Sequence, residues 1–427
     1  MPNTLPQLHI QPPTGWLNDP NGIIRLHDRW HVFYQANPHQ PVHRDIVWGH
    51  ASSTDLVRWQ HHPTAFAPTP GGPDSGGCWS GVHLPWSRRP AVAYSGVVAG
   101  EPSSTVCVRE ALDPELIRWS EPQVVARTPD GVREMRDPFC FTWGGRHLAI
   151  VGGRLSDGDA AVLLYDVADP DSWRYLGVLL RGADLEFDAP HAEIWECPQL
   201  LIDGDRCWLI VSRWVENVTL DVLVFDGRIS DRNGTPALTV DNVERLDDGE
   251  PFYAPQVALD AAGAPLLFGW IREFDDHAAA ASGISGCLTL PRRVDTSGGR
   301  LRMTVDAGLQ EYADGSAAIP LGLGAGRSTQ LPPQARVRGA APAIRLQGDR
   351  QDVEIPCPAG DFELWTDGEV VEVFPTGAPT VTLRDSGTEH WRITTDAATT
   401  LSVCEVAPPP TPEAPTGTAA ESVSTTA

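Results

Sequence analysis

The chain repeats a turn. Ser53-Thr-Asp-Leu-Val-Arg-Trp59 resembles Leu112-Asp-Pro-Glu-Leu-Ile-Arg-Trp119, and Val167-Ala-Asp-Pro-Asp-Ser-Trp173 is a looser third copy. The copies lie about 55–60 residues apart. Around them run short apolar segments rich in β-branched and aromatic residues, at 30–35, 91–95, 147–151, 161–165, 207–211, 221–225 and 265–270. Clusters of Gly, Pro, Asp and Asn separate these segments, and helical periodicity is nearly absent, which is the pattern of an all-β protein. A period of this length filled by four short strands predicts a propeller of radially packed blades. Residues 1–305 have room for five such units, so a five-bladed β-propeller is expected there.

Beyond residue 305 the character changes. The stretch 317–343 is rich in Gly, Pro and Ala and reads as irregular chain or a linker. Strand-like pieces at 352–355, 361–365, 370–374, 380–383, 391–394 and 401–406 then predict a small β-sandwich over 306–407, short enough to have lost strands. Residues 408–427, dominated by Pro, Thr and Ala with no aromatic ring, predict a disordered tail.

Charge narrows the function classes. With 32 basic and 56 acidic residues the chain carries a formal charge of −24, which disfavours nucleic acid or an anionic membrane as partner. Every basic residue is Arg, which excludes Schiff-base lysine chemistry and a phosphate-loop lysine. The eight Cys, at 78, 107, 140, 197, 207, 287, 357 and 404, form no Cys-x-x-Cys pair, so a zinc ribbon or thioredoxin-type site is not expected. Residues 1–7 lack the basic and apolar regions of a signal peptide, and no run is long enough to span a membrane. A cytoplasmic protein with free thiols is the consistent expectation.

Three carboxylates stand out because each is followed within two residues by Pro and flanked by aromatics. Asp19 sits in Trp16-Leu-Asn-Asp-Pro-Asn-Gly22, read as a rigid turn whose amides favour an ionised acid. Asp137 sits in Arg136-Asp137-Pro138, where the guanidinium is expected to keep it ionised and suited to gripping sugar hydroxyls. Glu196 sits in Ile194-Trp-Glu-Cys-Pro198, an apolar setting that suits a general acid. Two such acids flanking a glycosidic bond can split it, one as nucleophile and one as acid/base. Nearby Glu186, Asp188 and Glu193 read as ordinary solvated acids.

These motifs occur in an ordered series that resembles glycoside hydrolase family 32, the invertase and fructosidase family. Phe33-Tyr34-Gln35, Trp48-Gly49-His50-Ala51, Asp55-Leu56 with Trp59, and Trp79-Ser80-Gly81 follow the first motif. Arg136-Asp137-Pro138 and Glu196-Cys197-Pro198 are the two further acidic signatures. Asp247, Phe252-Tyr-Ala-Pro-Gln256, Gly269-Trp270, Leu288-Thr-Leu-Pro-Arg292 and Val370-Val-Glu-Val-Phe374 extend the likeness over residues 9–375. The resemblance implies a five-bladed propeller followed by a β-sandwich, and a retaining β-fructofuranosidase acting on sucrose or short fructans. It implies Asp19 as nucleophile, Glu196 as acid/base and Asp137 as transition-state stabiliser. Asn18, Gln35, Trp48, Trp79, Ser80, Arg136, Cys197 and Tyr253 are expected to bind the sugar. No metal or cofactor is implied, and the partner is a small carbohydrate. Fructosyl transfer from the same site, or non-catalytic fructan binding, are the alternative functions. One position departs from the pattern: His43 stands where an aromatic Trp is expected, which alters one wall of the pocket.

Overall fold

The β-rich runs form seven sheets in a computed structural model of the chain, which describes residues 4–185, 191–297 and 299–410. Glu186, Asp188 and residues 411–427 of the expected tail lie outside the described residues. Five sheets are propeller blades. Their first strands are Gly15–Leu26, Gly77–His83, Val132–Trp143, Ile194–Asp203 and Phe252–Leu259. Each first strand packs on that of the next blade, and the fifth packs on the first, which closes a ring around a central axis. Ile284–Ser285, from the fifth blade's stretch of chain, pairs in parallel with Gly15 and Trp16 and ties the ring shut.

The repeated turn occupies one place in three successive blades, between the third strand and the outermost strand. In the first blade it joins Val47–Ser53 to Gln60–His61, in the second Thr105–Glu110 to Gln123–Ala126, and in the third Ala160–Asp166 to Arg174–Arg181. The Asp explains its recurrence. Asp55 accepts the main-chain N–H groups of Val57 and Arg58, and Asp113 those of Ile117 and Arg118. Each carboxylate thereby replaces the partners that the backbone loses where the chain reverses. In the fourth blade the long strands Val218–Arg232 and Thr235–Arg245 meet at Asn233-Gly234, both with positive φ. A two-residue Asn-Gly hairpin needs no such turn, and there the repeat disappears.

The remaining two sheets form the β-sandwich. One runs in the order Ile319–Leu323, Thr399–Glu405, Gln334–Ala340, Asp361–Asp367, Val370–Pro375, Val381–Arg384. The other runs Ser328–Gln330, Arg392–Thr395, Ala343–Gln347, Asp352–Pro356. The stretch 317–343, expected to be irregular, therefore contains three strands. Ile319–Leu323 and Ser328–Gln330 lie on sheet edges with mostly exposed side chains, so they show no alternation of apolar residues.

Propeller and sandwich meet through buried charge. The Arg292 guanidinium, fully buried, donates to Asp247, Glu372 and the Thr382 hydroxyl at 2.7–2.9 Å. His9 lies between Asp367 (2.7 Å) and Glu372 (3.0 Å) of the sandwich. Burial would lower the His9 pKa, but these two carboxylates prevail and raise it to about 9. All eight cysteines are buried and unpaired. Among the described residues no helix is long and apolar enough to cross a membrane.

Candidate active site

The five inner strands share one irregularity. Each carries an extra residue at mid-length, a β-bulge, so that two of its residues face one on the neighbouring strand. The bulges fall at Asn18-Asp19, Trp79-Ser80, Asp137-Pro138, Cys197-Pro198 and Ala254-Pro255. Pro follows Asp19, Asp137, Cys197 and Ala254, and Gly follows Ser80. Pro, which has no N–H to donate, fits here because the ladder is already broken, and at Gly81 a Cβ would strike the Ala93 carbonyl oxygen. Asp137, Cys197 and Ala254 take positive φ values of 62°, 46° and 44°. Non-Gly residues in that region are strained, and the bulge holds them there to re-aim their side chains. Asp19 thus lies within a bulged strand rather than in the free turn that its sequence suggests.

The result is two tiers of side chains around the axis. Asp19, Ser80, Asp137, Cys197 and Ala254 form the deeper tier. Asn18, Trp79, Arg136, Glu196 and Tyr253, each one residue earlier, form the tier above it. Nine of the eleven expected site residues fall in these two tiers; Gln35 reaches Asp19 from the second strand of the first blade, and Trp48 lies on the third.

Asp19 is buried and met by several donors. Its Oδ2 accepts from the Ser80 hydroxyl at 2.5 Å and from the Gln35 amide at 3.0 Å, and its Oδ1 accepts from the Asn18 amide at 3.1 Å. Even so, burial outweighs these donors and raises the Asp19 pKa, contrary to the expectation of a readily ionised acid. The Cys197 thiol lies between two acids, with Sγ 3.6 Å from Asp19 Oδ2 and 3.5 Å from Asp137 Oδ2. Burial, followed by the charges of Asp137 and Asp19, pushes this thiol well above its usual pKa, so it stays a neutral donor.

Asp137 also departs from expectation. Arg136 turns away from it and donates to Glu196 Oε1 at 2.9 Å and to Glu134 Oε2 at 3.2 Å. Asp137 keeps the Cys197 main-chain N–H at 3.1 Å. Burial and the neighbouring Glu196 charge raise its pKa to about 7, against the pull of Arg136. Glu196 is held by polar groups rather than by an apolar wall: Arg136 on one oxygen and the Tyr253 hydroxyl, 2.7 Å away, on the other. Glu193, read as solvated, lies 3.3 Å from Arg154 in a partly buried ion pair.

Rings wall the mouth. His43 meets Trp16 and Trp79 edge-on, with ring centroids 6.1 and 5.8 Å apart. Crowding by this wall lowers the His43 pKa, while Glu196 pulls it up. Trp214 lies under the Arg136 guanidinium at 5.5 Å. Trp48 does not line the mouth. It is fully buried against Phe33, Phe66 and Tyr94, and its indole N–H donates to the Trp79 carbonyl at 3.1 Å, so it supports the wall from beneath. Sequence reasoning missed Trp16 and Trp214 as wall residues. Trp16 was legible as the start of the first motif; Trp214 sits on the second strand of its blade with no motif around it. Among the described residues no group of His, Cys, Asp and Glu is arranged to hold a metal ion.

Comparison with known proteins gives a consistent picture. The description "Glycosyl hydrolases family 32 N-terminal domain" matches residues 9–304. The chain is 32% identical over 307 residues to a raffinose invertase of Escherichia coli, covering 69% of this chain and 63% of that protein. It is 31% identical over 309 residues to a sucrose-6-phosphate hydrolase of Bacillus subtilis strain 168, with the same coverage of each. The chain thus spans a little under two thirds of the length of these curated relatives. Among solved structures, a β-fructofuranosidase of Bombyx mori superposes with a TM-score of 0.80 at 22% identity, covering 95% of this chain and 94% of the other. A sucrose-6-phosphate hydrolase of Lactobacillus gasseri gives 0.79 at 20% identity, covering 95% and 93%. At such identities the likeness is one of fold.

Proposed function

The chain belongs to glycoside hydrolase family 32, and from that premise we propose that it is a retaining β-fructofuranosidase releasing terminal fructose from sucrose or short fructans. Asp19 is the nucleophile. It attacks the anomeric carbon of the fructosyl unit as Glu196 protonates the departing glycosidic oxygen. Glu196 then takes a proton from water, and that water displaces Asp19 and frees fructose. Asp137 accepts hydrogen bonds from ring hydroxyls and favours the positive charge that develops on the sugar. Asn18, Gln35, Trp79, Ser80, Arg136 and Tyr253 complete the fructose subsite.

The convergence of three carboxyl groups on one thiol-bridged centre carries this reading. Asp19 and Asp137 both approach Cys197 Sγ within 3.6 Å, and Glu196 is the residue next to it. Two acids whose pKa values burial raises sit where ionised forms must be stabilised by a ligand, which fits a site completed by substrate. The cation that touches the acids is already committed: Arg136 serves Glu196 and Glu134. That favours an unphosphorylated sugar over a sugar phosphate.

The test is incubation of the full chain with sucrose, sucrose 6-phosphate, short inulin oligomers and levan, with products separated by chromatography. Fructose is the expected product, and kcat/KM falls by about 10⁴-fold or more in D19N and in E196Q. Either variant releasing fructose at the wild-type rate would overturn the assignment. Oligosaccharides longer than the substrate would point to transfer instead.

A further inference from the structure

Five arginines are buried among the described residues: Arg109, Arg272, Arg292, Arg336 and Arg384. Four face a carboxylate. Arg109 pairs with Asp74, Arg292 with Asp247 and Glu372, Arg336 with Asp314, and Arg384 with Glu273 and Glu369. Arg272, 3% exposed, pairs with none. Its donors end on the main-chain carbonyls of Thr219, Leu220, Glu250 and Pro251 and on the Thr219 hydroxyl. Carbonyl dipoles solvate a guanidinium, and the carboxylates near this one, Glu250 and Asp221, act on it through space without a salt bridge.

The position of this charge is specific. The guanidinium carbon lies 5.1 Å from the centre of the Tyr253 ring and 5.0 Å from that of Phe274. The hydroxyl of the same Tyr253 lies 2.7 Å from Glu196 Oε2. An unpaired cation against a phenol ring makes its hydroxyl a stronger donor and favours negative charge beyond it.

We propose that Arg272 is a positioning residue that acts through Tyr253 to favour the ionised form of Glu196. The proposal rests on the reading of Glu196 as acid/base. In that role Glu196 must gain and lose a proton within each turnover, so a fixed charge behind it sets the pH at which the enzyme works. Burial lowers the Arg272 pKa only to about 10, so it remains a cation at neutral pH. The other charged or titratable groups facing Glu196 are Arg136 and Asp137 from the third blade, Cys197 beside it, His43 from the loop at the mouth and Tyr253 itself. Arg272 is the one that reaches it from behind the phenol.

The experiment is the pH profile of kcat/KM for fructose release from sucrose, taken from about pH 4 to about pH 9. Substrate cleavage needs Glu196 protonated, so the basic limb reports its pKa. Removing the cation in R272Q moves that limb upward by roughly half to one pH unit. R272K, which keeps the charge, returns it toward the wild-type position even where the lost carbonyl bonds lower the Tm. Y253F moves the limb upward as well, and R272Q adds little in that background. A purely structural clamp would lower kcat/KM uniformly and leave the limb in place, and that result in R272Q would overturn the proposal. If R272Q fails to fold by circular dichroism, a Y253F limb identical to wild type overturns it instead. The same shift is read without turnover from the infrared carboxyl band that titrates in wild type and is missing in E196Q. An inactive wild type whose band moves in R272Q would sink the fructosidase reading and leave the relay standing. An active wild type with an unmoved limb and band would sink the relay alone.

Discussion

Gathering three carboxyl groups around one buried thiol has a cost, and much of it falls on Asp137. Its pKa of about 7 in the folded chain exceeds the usual 3.8, so folding takes up a proton between those values. The sign follows: the folded state loses stability as pH rises through that window, because ionised Asp137 is tolerated better in the unfolded chain. D137N removes the charge and keeps the shape. It is expected to raise the Tm by a few degrees at pH 8, with the advantage shrinking below about pH 7. The same change lowers kcat/KM by roughly 10²–10⁴-fold. Thermal unfolding at several pH values checks the first outcome and initial rates the second; D137N less stable than wild type at pH 8 would refute the account. At this scale the identities of the acids were legible in sequence, since each stands in its own motif. Their protonation was not. Arg136 adjoins Asp137 in the chain, yet the bulge points the two side chains apart, and Arg136 ends on Glu196. Adjacency in sequence says little about pairing where the backbone leaves the regular pleat.

The inner strand is the element that makes the site. Its bulge does the same work in five blades, and the side chains placed there differ. The Pro or Gly at each bulge was visible in the sequence; that these marked equivalent places around a ring was not, because the repeat visible in the sequence lay in the outer turns. Close packing between blades supports the bulges. At Gly152, in the strand Arg146–Leu155, a Cβ would lie 2.2 Å from the Trp195 carbonyl oxygen, one residue before Glu196. Backbone cannot yield easily at that distance. G152A is therefore expected to cost roughly 3 kcal/mol or more and to reduce kcat/KM at least tenfold by displacing the Glu196 strand. Denaturant unfolding and kinetics on the same preparation test this, and wild-type values for both would refute it. Two of the three strands within 317–343, Ile319–Leu323 and Ser328–Gln330, were missed for the complementary reason. Edge strands with exposed faces lack the alternation that reveals a strand buried on one side.

Across the whole molecule, charges buried between propeller and sandwich link one to the other. Asp247, Arg292 and Glu372 belong to motifs noted in the sequence without a role, and here they form one network with His9. Because the His9 pKa is raised from 6.5 to about 9, its contribution is fully present below pH 6.5 and is lost as pH rises through 9. Wild-type Tm should fall over that alkaline range, and H9Q should lack this part of the fall while being less stable at pH 7 by about 3 kcal/mol or more. Parallel Tm–pH curves for the two proteins would contradict it. A chain ending at residue 305 would leave Arg292 without Glu372, and is expected to be poorly soluble or to unfold well below the full chain. The buried cysteines carry a practical consequence. Six lie in the blades and two, Cys357 and Cys404, in the sandwich, and all are buried in the folded protein, with 7% or less of each exposed. They are built-in clocks: each reacts with a thiol reagent only when its surroundings open. Mass spectrometry of the order in which they label would show which part of the molecule breathes first, and a single cysteine added to the surface could be tagged with no competing site.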